Sequence, residues 1–141
     1  MRRFEKILIP VDLGHDSSWQ EALPTAVDQA KHAGGELHIV TVVPDEPPQL
    51  AWLPDDYSAK MISYANSQLA TLIETNIPQG MKTEQHVCQG SVYSEIVKLA
   101  KDLGIDLIIM ASHRPELKDF LLGPNAAKVV RHAECPVLVI R

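Results

Sequence analysis

Asp106-Leu107-Ile108-Ile109-Met110-Ala111-Ser112-His113-Arg114-Pro115 is the stretch that decides how this chain folds. A short, unbroken apolar run is the mark of a strand buried on both faces of a parallel sheet, and here it delivers the chain into a polar loop. Beyond that loop, Leu122-Gly123-Pro124 reads as a glycine turn, Asn125–His132 as a short helix and Pro136–Ile140 as a closing strand. In an open α/β sheet, a loop leaving a strand's carboxyl end and a helix amino terminus are both places that take phosphorylated ligands.

Upstream the pattern repeats. Ile7-Leu8-Ile9-Pro10-Val11, within Lys6–Val11, is a second buried run, and Glu36–Val43 is a third, rich in β-branched residues. Between them Ser18-Trp19-Gln20-Glu21 has the form of a capping box, which predicts a helix from there to about His32, closed by Gly34-Gly35. Pro24 is expected to remove one donor from that helix and bend its first turns. The proline-rich segment Pro44–Pro54 excludes regular structure, and a packed Trp52 is expected within it. A helix follows from about Asp56 to Thr75, and Met81–Cys88 alternates weakly as a further strand. After Gly90-Ser91, the apolar positions Ile96, Leu99, Ala100 and Leu103 recur at helical spacing until Gly104. Strand and helix thus alternate throughout, which predicts a mostly parallel sheet with helices on both faces.

The chain has 141 residues and a net charge of −5, which fits one domain able to bury its own core. The acidic balance argues against a nucleic-acid binder. No apolar run approaches the ~20 residues that span a bilayer. The amino terminus has no secretory h-region, so a cytoplasmic protein is expected. Cys88 and Cys135 form no CxxC pair and are expected as reduced thiols. His15, His32, His38 and His86 show no metal-ligand spacing with one another or with the cysteines, so no zinc site is expected.

Functional candidates gather at the carboxyl ends of the strands. Asp12 closes Ile9-Pro10-Val11-Asp12, where a carboxylate can accept hydrogen bonds from a ribose or hold a metal carried with phosphates. The competing reading is an Asp that satisfies backbone donors in the turn before Gly14. Ser112, His113 and Arg114 put a hydroxyl, an imidazole and a guanidinium where the fourth strand releases the chain, and an arginine fork suits phosphate. Gly123, Asn125 and Ala126 surround a helix start whose free N–H groups favour an anion. Pro124 is a favoured first helical residue, yet it has no N–H to donate.

Ile7–Asp12, Gly90-Ser91 and above all Ile109–Pro115, Leu121–Ala126 and Val129–Val139 resemble the universal stress protein family over essentially the whole chain, and within it the short F/G-type branch. That resemblance implies a three-layer Rossmann-like (adenine nucleotide alpha hydrolase-like) α/β sandwich. Its five-stranded parallel sheet has order 3-2-1-4-5 and carries four helices. It also implies binding of an adenine nucleotide, chiefly ATP, sometimes with Mg held through Asp12, and a stress-responsive regulatory role. Pro10, Val11, Asp12 and Val42 would take the adenosine. Met110, Ala111, Ser112, His113 and Arg114 would form the phosphate loop, closed by Gly123, Asn125 and Ala126.

The family's ATP-binding pattern is Gly, two residues, Gly, nine residues, Gly, then Ser or Thr. Here Ala111 stands at the first glycine, the second glycine is missing from a loop one residue shorter, and Pro124 replaces the Ser or Thr. That last residue gives phosphate both an amide and a hydroxyl. At roughly 1.5–3 kcal/mol for each charge-assisted bond, losing two weakens phosphate binding by a few hundredfold or more. No base for water stands out, so ATP hydrolysis is expected to be slow or absent. The alternative reading is a dimeric interaction module that binds no nucleotide. Family resemblance further implies a homodimer joined through Pro136–Arg141, an apolar edge strand in need of cover.

Overall fold

In the computed structural model, residues 3–45, 52, 54–112 and 124–141 are described. Five strands, β1 (Lys6–Pro10), β2 (Glu36–Val43), β3 (Thr83–Gln89), β4 (Leu107–Ala111) and β5 (Val137–Ile140), form one sheet in the order β3-β2-β1-β4-β5. Every pairing in it is parallel. Four α-helices connect them: α1 (Ala22–Ala33), α2 (Tyr57–Asn76), α3 (Val92–Leu103) and α4 (Pro124–His132). This is the order and the α/β architecture expected.

The central strand explains why the apolar runs lack alternation. Ile7, Leu8 and Ile9 are all fully buried, because both faces of β1 are covered. Ile7, Ile9, Leu37, Ile39, Leu107 and Ile109 pack on one face against Leu23, Ala26 and Val27 of α1 and Leu69 and Leu72 of α2. Leu8, Val40, Ile108 and Met110 pack on the other against Ile96 and Ala100 of α3 and Ala126 and Val129 of α4. Lys128 lies over the Tyr93 ring, 5.2 Å from its centre, and joins α3 to α4, while Arg131 and His132 are the basic residues in the last turn of α4.

Three local expectations are corrected. The capping box does not form: α1 begins at Ala22 after Glu21, which makes no side-chain cap, and Ser18 lies in a 3-10 turn at Asp16–Ser18. Its hydroxyl is engaged elsewhere, accepting from the Asp12 amide at 2.8 Å and donating to the Asp12 carbonyl at 3.1 Å. Because the helix starts later, Pro24 falls in its first turn, where a missing N–H costs least. Trp52 is not packed but 75% exposed. Among the described residues no helix is long and apolar enough to cross a membrane.

Two glycines fix how elements meet. Gly34 ends α1 in the left-handed conformation at φ 64° and donates back to Ala30 and Lys31. Gly35 next to it lies so close to the Glu5 backbone that any Cβ would collide with it, and the following Glu36 amide bonds the Glu5 carbonyl at 2.7 Å.

Candidate functional site

The winding of the sheet reverses between β1 and β4, and a cleft of about 480 Å³ opens there at the strands' carboxyl ends. Its floor and walls are Pro10, Val11 and Asp12 after β1, Val40, Thr41, Val42 and Pro44 along β2, and Met110 and Ala111 at the end of β4. Val92 and Ile96 of α3 and Pro124, Asn125 and Ala126 at the start of α4 also line it. Ser18 completes the lining. A second hollow of about 400 Å³, between Leu13, Trp19 and the outer face of α2, is lined by amides, hydroxyls and apolar groups only.

Of the residues singled out from sequence, Pro10, Val11, Asp12, Val42, Met110, Ala111, Asn125 and Ala126 therefore share one cleft. Ser112 does not line it. That residue's amide bonds the Ile140 carbonyl at 2.8 Å, extending the β4–β5 pairing by one step. His113, Arg114 and Gly123 lie outside the described residues, as does most of the Pro44–Pro54 segment. Sequence reasoning missed Ser18, Val40, Thr41, Val92 and Ile96 as lining residues. For Val40 the strand's period of two was a usable signal, since Val42 was already assigned to the site.

The backbone-satisfying reading of Asp12 is the one the contacts show. Its Oδ1 accepts from the Gly14 amide at 3.0 Å, and its Oδ2 lies 3.0 Å from His15 Nδ1. These contacts orient the Asp12 carboxylate at the end of β1. Among the described lining residues it is the sole charged side chain. The amides of Asn125 and Ala126, also in the lining, belong to the first turn of α4, where no intrahelical acceptor reaches them. The arrangement thus offers apolar walls, an oriented carboxylate and a helix amino terminus in one groove. Gly90, at φ 142°, supports the α3 side: its amide bonds Val43, and a Cβ would strike the Glu95 side chain.

A second polar cluster lies off the cleft, where the pairing of β2 and β3 brings together histidines far apart in sequence. His38 and His86, 48 residues apart in sequence, meet with His38 Nδ1 at 3.0 Å from His86 Nε2. Glu84 joins them, its Oε2 at 3.4 Å from His38 Nδ1 and 3.9 Å from His86 Nε2. Glu36 Oε1 lies 2.9 Å from His38 Nε2, and Glu36 Oε2 lies 2.7 Å from Lys82 Nζ. The Lys82 ammonium, with His38 beside it, holds the Glu36 carboxyl down at about 2. Cys88, further along β3, has its thiol pushed up by burial and by the Glu95 carboxylate, which makes it a poor nucleophile.

Comparison with known proteins bears on the whole chain. Residues 3–141 match the model of the universal stress protein family. Universal stress protein G of Shigella flexneri is 30% identical, over 98% of this chain and 99% of its own. Among solved structures, the hypothetical protein MJ0577 superposes with a TM-score of 0.83 at 27% identity, covering 99% of this chain and 96% of the other. A universal stress protein in complex with cAMP superposes with a TM-score of 0.64 at 22% identity, covering 99% and 98% of the two chains.

Proposed function

This chain belongs to the universal stress protein family, and from that premise we propose that it is a stress-response regulator holding an adenine nucleotide, ATP first, in the cleft at the carboxyl ends of β1, β2 and β4. The observation that carries the reading is the joint lining of one groove by Asp12, by apolar walls and by the first turn of α4. Adenine fits between Val11, Val40, Val42 and Ile96, where a flat apolar ring gains burial. The oriented Asp12 carboxylate takes a ribose hydroxyl, or a magnesium ion carried with the phosphates. The phosphates extend toward Asn125 and Ala126 at the positive end of α4. The cAMP complex of a more distant protein of the same fold supports the reading, since an adenosine phosphate is accommodated there.

Turnover is slow or absent in this reading. Asp12 is the one charged group among the described lining residues, and it is committed to Gly14 and His15 at the adenosine end. A regulatory role in the cytoplasm, exerted through a homodimer joined along β5 and through a protein partner, follows from the same premise.

Heating the purified protein and measuring the released small molecules at 260 nm tests the proposal. About one adenine nucleotide per chain is expected. A nucleotide-free protein that also gives no heat on titration with Mg-ATP would overturn it. The second reading, a dimeric module that binds no nucleotide, draws on Pro124. At the first position of α4 it supplies neither an amide nor a hydroxyl to a phosphate.

A further inference from the structure

We propose that His38, His86 and Glu84 form a binding site for a divalent transition metal of the zinc type, on the face of the sheet covered by α3 and α4 and at its β3 edge. Parallel pairing of β2 and β3 sets His38 directly opposite Glu84 and Val40 opposite His86, so the three side chains stand on one face within a single step of register. Their nearest donor atoms, His38 Nδ1, His86 Nε2 and Glu84 Oε2, are separated by 3.0, 3.4 and 3.9 Å. Around a tetrahedral ion with bonds near 2.0–2.2 Å, adjacent ligand atoms lie about 3.3–3.6 Å apart. The three separations bracket that value, so they outline one face of such a tetrahedron and need shifts of only a few tenths of an ångström to close on an ion.

The orientation of His38 adds an independent support. Glu36 accepts from Nε2 at 2.9 Å and is itself held by Lys82 at 2.7 Å. A carboxylate on one ring nitrogen fixes the tautomer and leaves the lone pair of the other nitrogen, Nδ1, directed at the site. This is the carboxylate–histidine–metal arrangement that raises ligand basicity. Burial is graded to match: the side chain of His38 is 4% exposed, His86 20% and Glu84 55%, so an ion enters past Glu84 and settles against His38. Two imidazoles and one carboxylate favour zinc or copper over magnesium or calcium, and three protein ligands leave a fourth position for water. None of the three residues lines the nucleotide cleft. Bound there, the ion ties the edge strand β3 to β2.

The test uses the full chain, stripped with a chelator and dialysed against buffer. Titration with Co(II) is expected to raise the visible absorption of a low-symmetry, four- or five-coordinate ion, saturating at one per chain and abolished by Zn(II). Equilibrium dialysis with Zn(II) gives the affinity. His86→Ala and Glu84→Gln, both on the open side of the site, are expected to weaken it about tenfold or more while circular dichroism stays unchanged. Glu36→Gln, which removes only the orienting carboxylate, is expected to weaken it about 10–100-fold. Absence of saturable binding below millimolar metal would overturn the proposal and leave an imidazole–imidazole hydrogen bond only. So would stoichiometric binding that His86→Ala and Glu84→Gln leave intact, because the ion would then sit on other groups.

Discussion

The Ser18 hydroxyl is clamped onto both backbone groups of Asp12, accepting from its amide at 2.8 Å and donating to its carbonyl at 3.1 Å. Ser18 is buried, so the bonded pair fixes the turn at the end of β1 from inside the cleft wall. Ser18→Ala is expected to cost about 1–2 kcal/mol of stability, since one hydroxyl serves two partners. Denaturant unfolding measures that loss. Nucleotide affinity should fall with it, because Asp12 loses its alignment. Destabilisation with unchanged affinity would confine Ser18 to the fold.

Pro124→Ser restores both an amide and a hydroxyl at the amino terminus of α4. Titration calorimetry with Mg-ATP should show binding tighter by about a few hundredfold or more, at roughly 1.5–3 kcal/mol for each of the two recovered charge-assisted bonds. Unchanged or weaker binding would mean that the proline does not limit phosphate recognition.

Gly35→Ala drives a methyl group into the Glu5 backbone, which cannot rotate away as a side chain would. The expected cost is about 2–3 kcal/mol, at the upper end of overpacking effects. Gly34→Ala, which meets no atom but strains a residue at φ 64°, should cost about 1 kcal/mol. Thermal unfolding of the two variants side by side checks the order.

Acid should loosen the β2–β3 edge in metal-free protein. The Glu36 carboxyl, held at about 2 by the Lys82 ammonium and then by His38, is depressed from an unfolded value near 4.3. A depressed carboxylate contributes stability that is fully present above the unfolded value and is lost as pH falls through the folded one. Stability should therefore decline between about pH 5 and pH 2, and Glu36→Gln should flatten that decline. An identical pH profile in the variant would show that other carboxylates govern the acid limb.

Dimerisation along β5 is open to a direct check. Leu138 is a large apolar residue, 40% exposed, on the last strand of the sheet. Sedimentation at micromolar concentration should give a dimer for the wild type. Leu138→Lys should shift it to monomer, because a charge on an edge strand discourages pairing. A wild-type monomer would remove the dimer from the proposed function.

The fold was legible wherever a strand is buried on both faces. Ile7–Ile9 and Leu107–Met110 announce themselves by composition, and Gly34 and Gly104 mark both helix ends through backbone conformations that glycine adopts readily. Ser18 misled for a physical reason. The Ser-x-x-Glu pattern scores a local bond, whereas the hydroxyl found better partners six residues earlier at Asp12. His38 and His86 were invisible to spacing because their meeting depends on which strand lies beside which, and on the register between them. Asp12 was legible by its place at a strand end, and the Val92 and Ile96 walls were not, since packing against a core and lining a cleft leave the same apolar signature.

Two residues, Gly34 and Gly35, separate α1 from β2, and Gly35 is pressed against Glu5. That junction works as a parity counter. One residue inserted after Gly34 finds no slack to occupy, and the alternation along β2 then inverts. Leu37 and Ile39 would turn toward α3 and α4, while His38, Val40 and Val42 would turn toward α1 and α2. A lengthening by one amino acid, leaving every other residue in place, would thus dismantle the wall of the cleft and the histidine cluster together, whereas two inserted residues would restore the alternation with the strand displaced by one repeat.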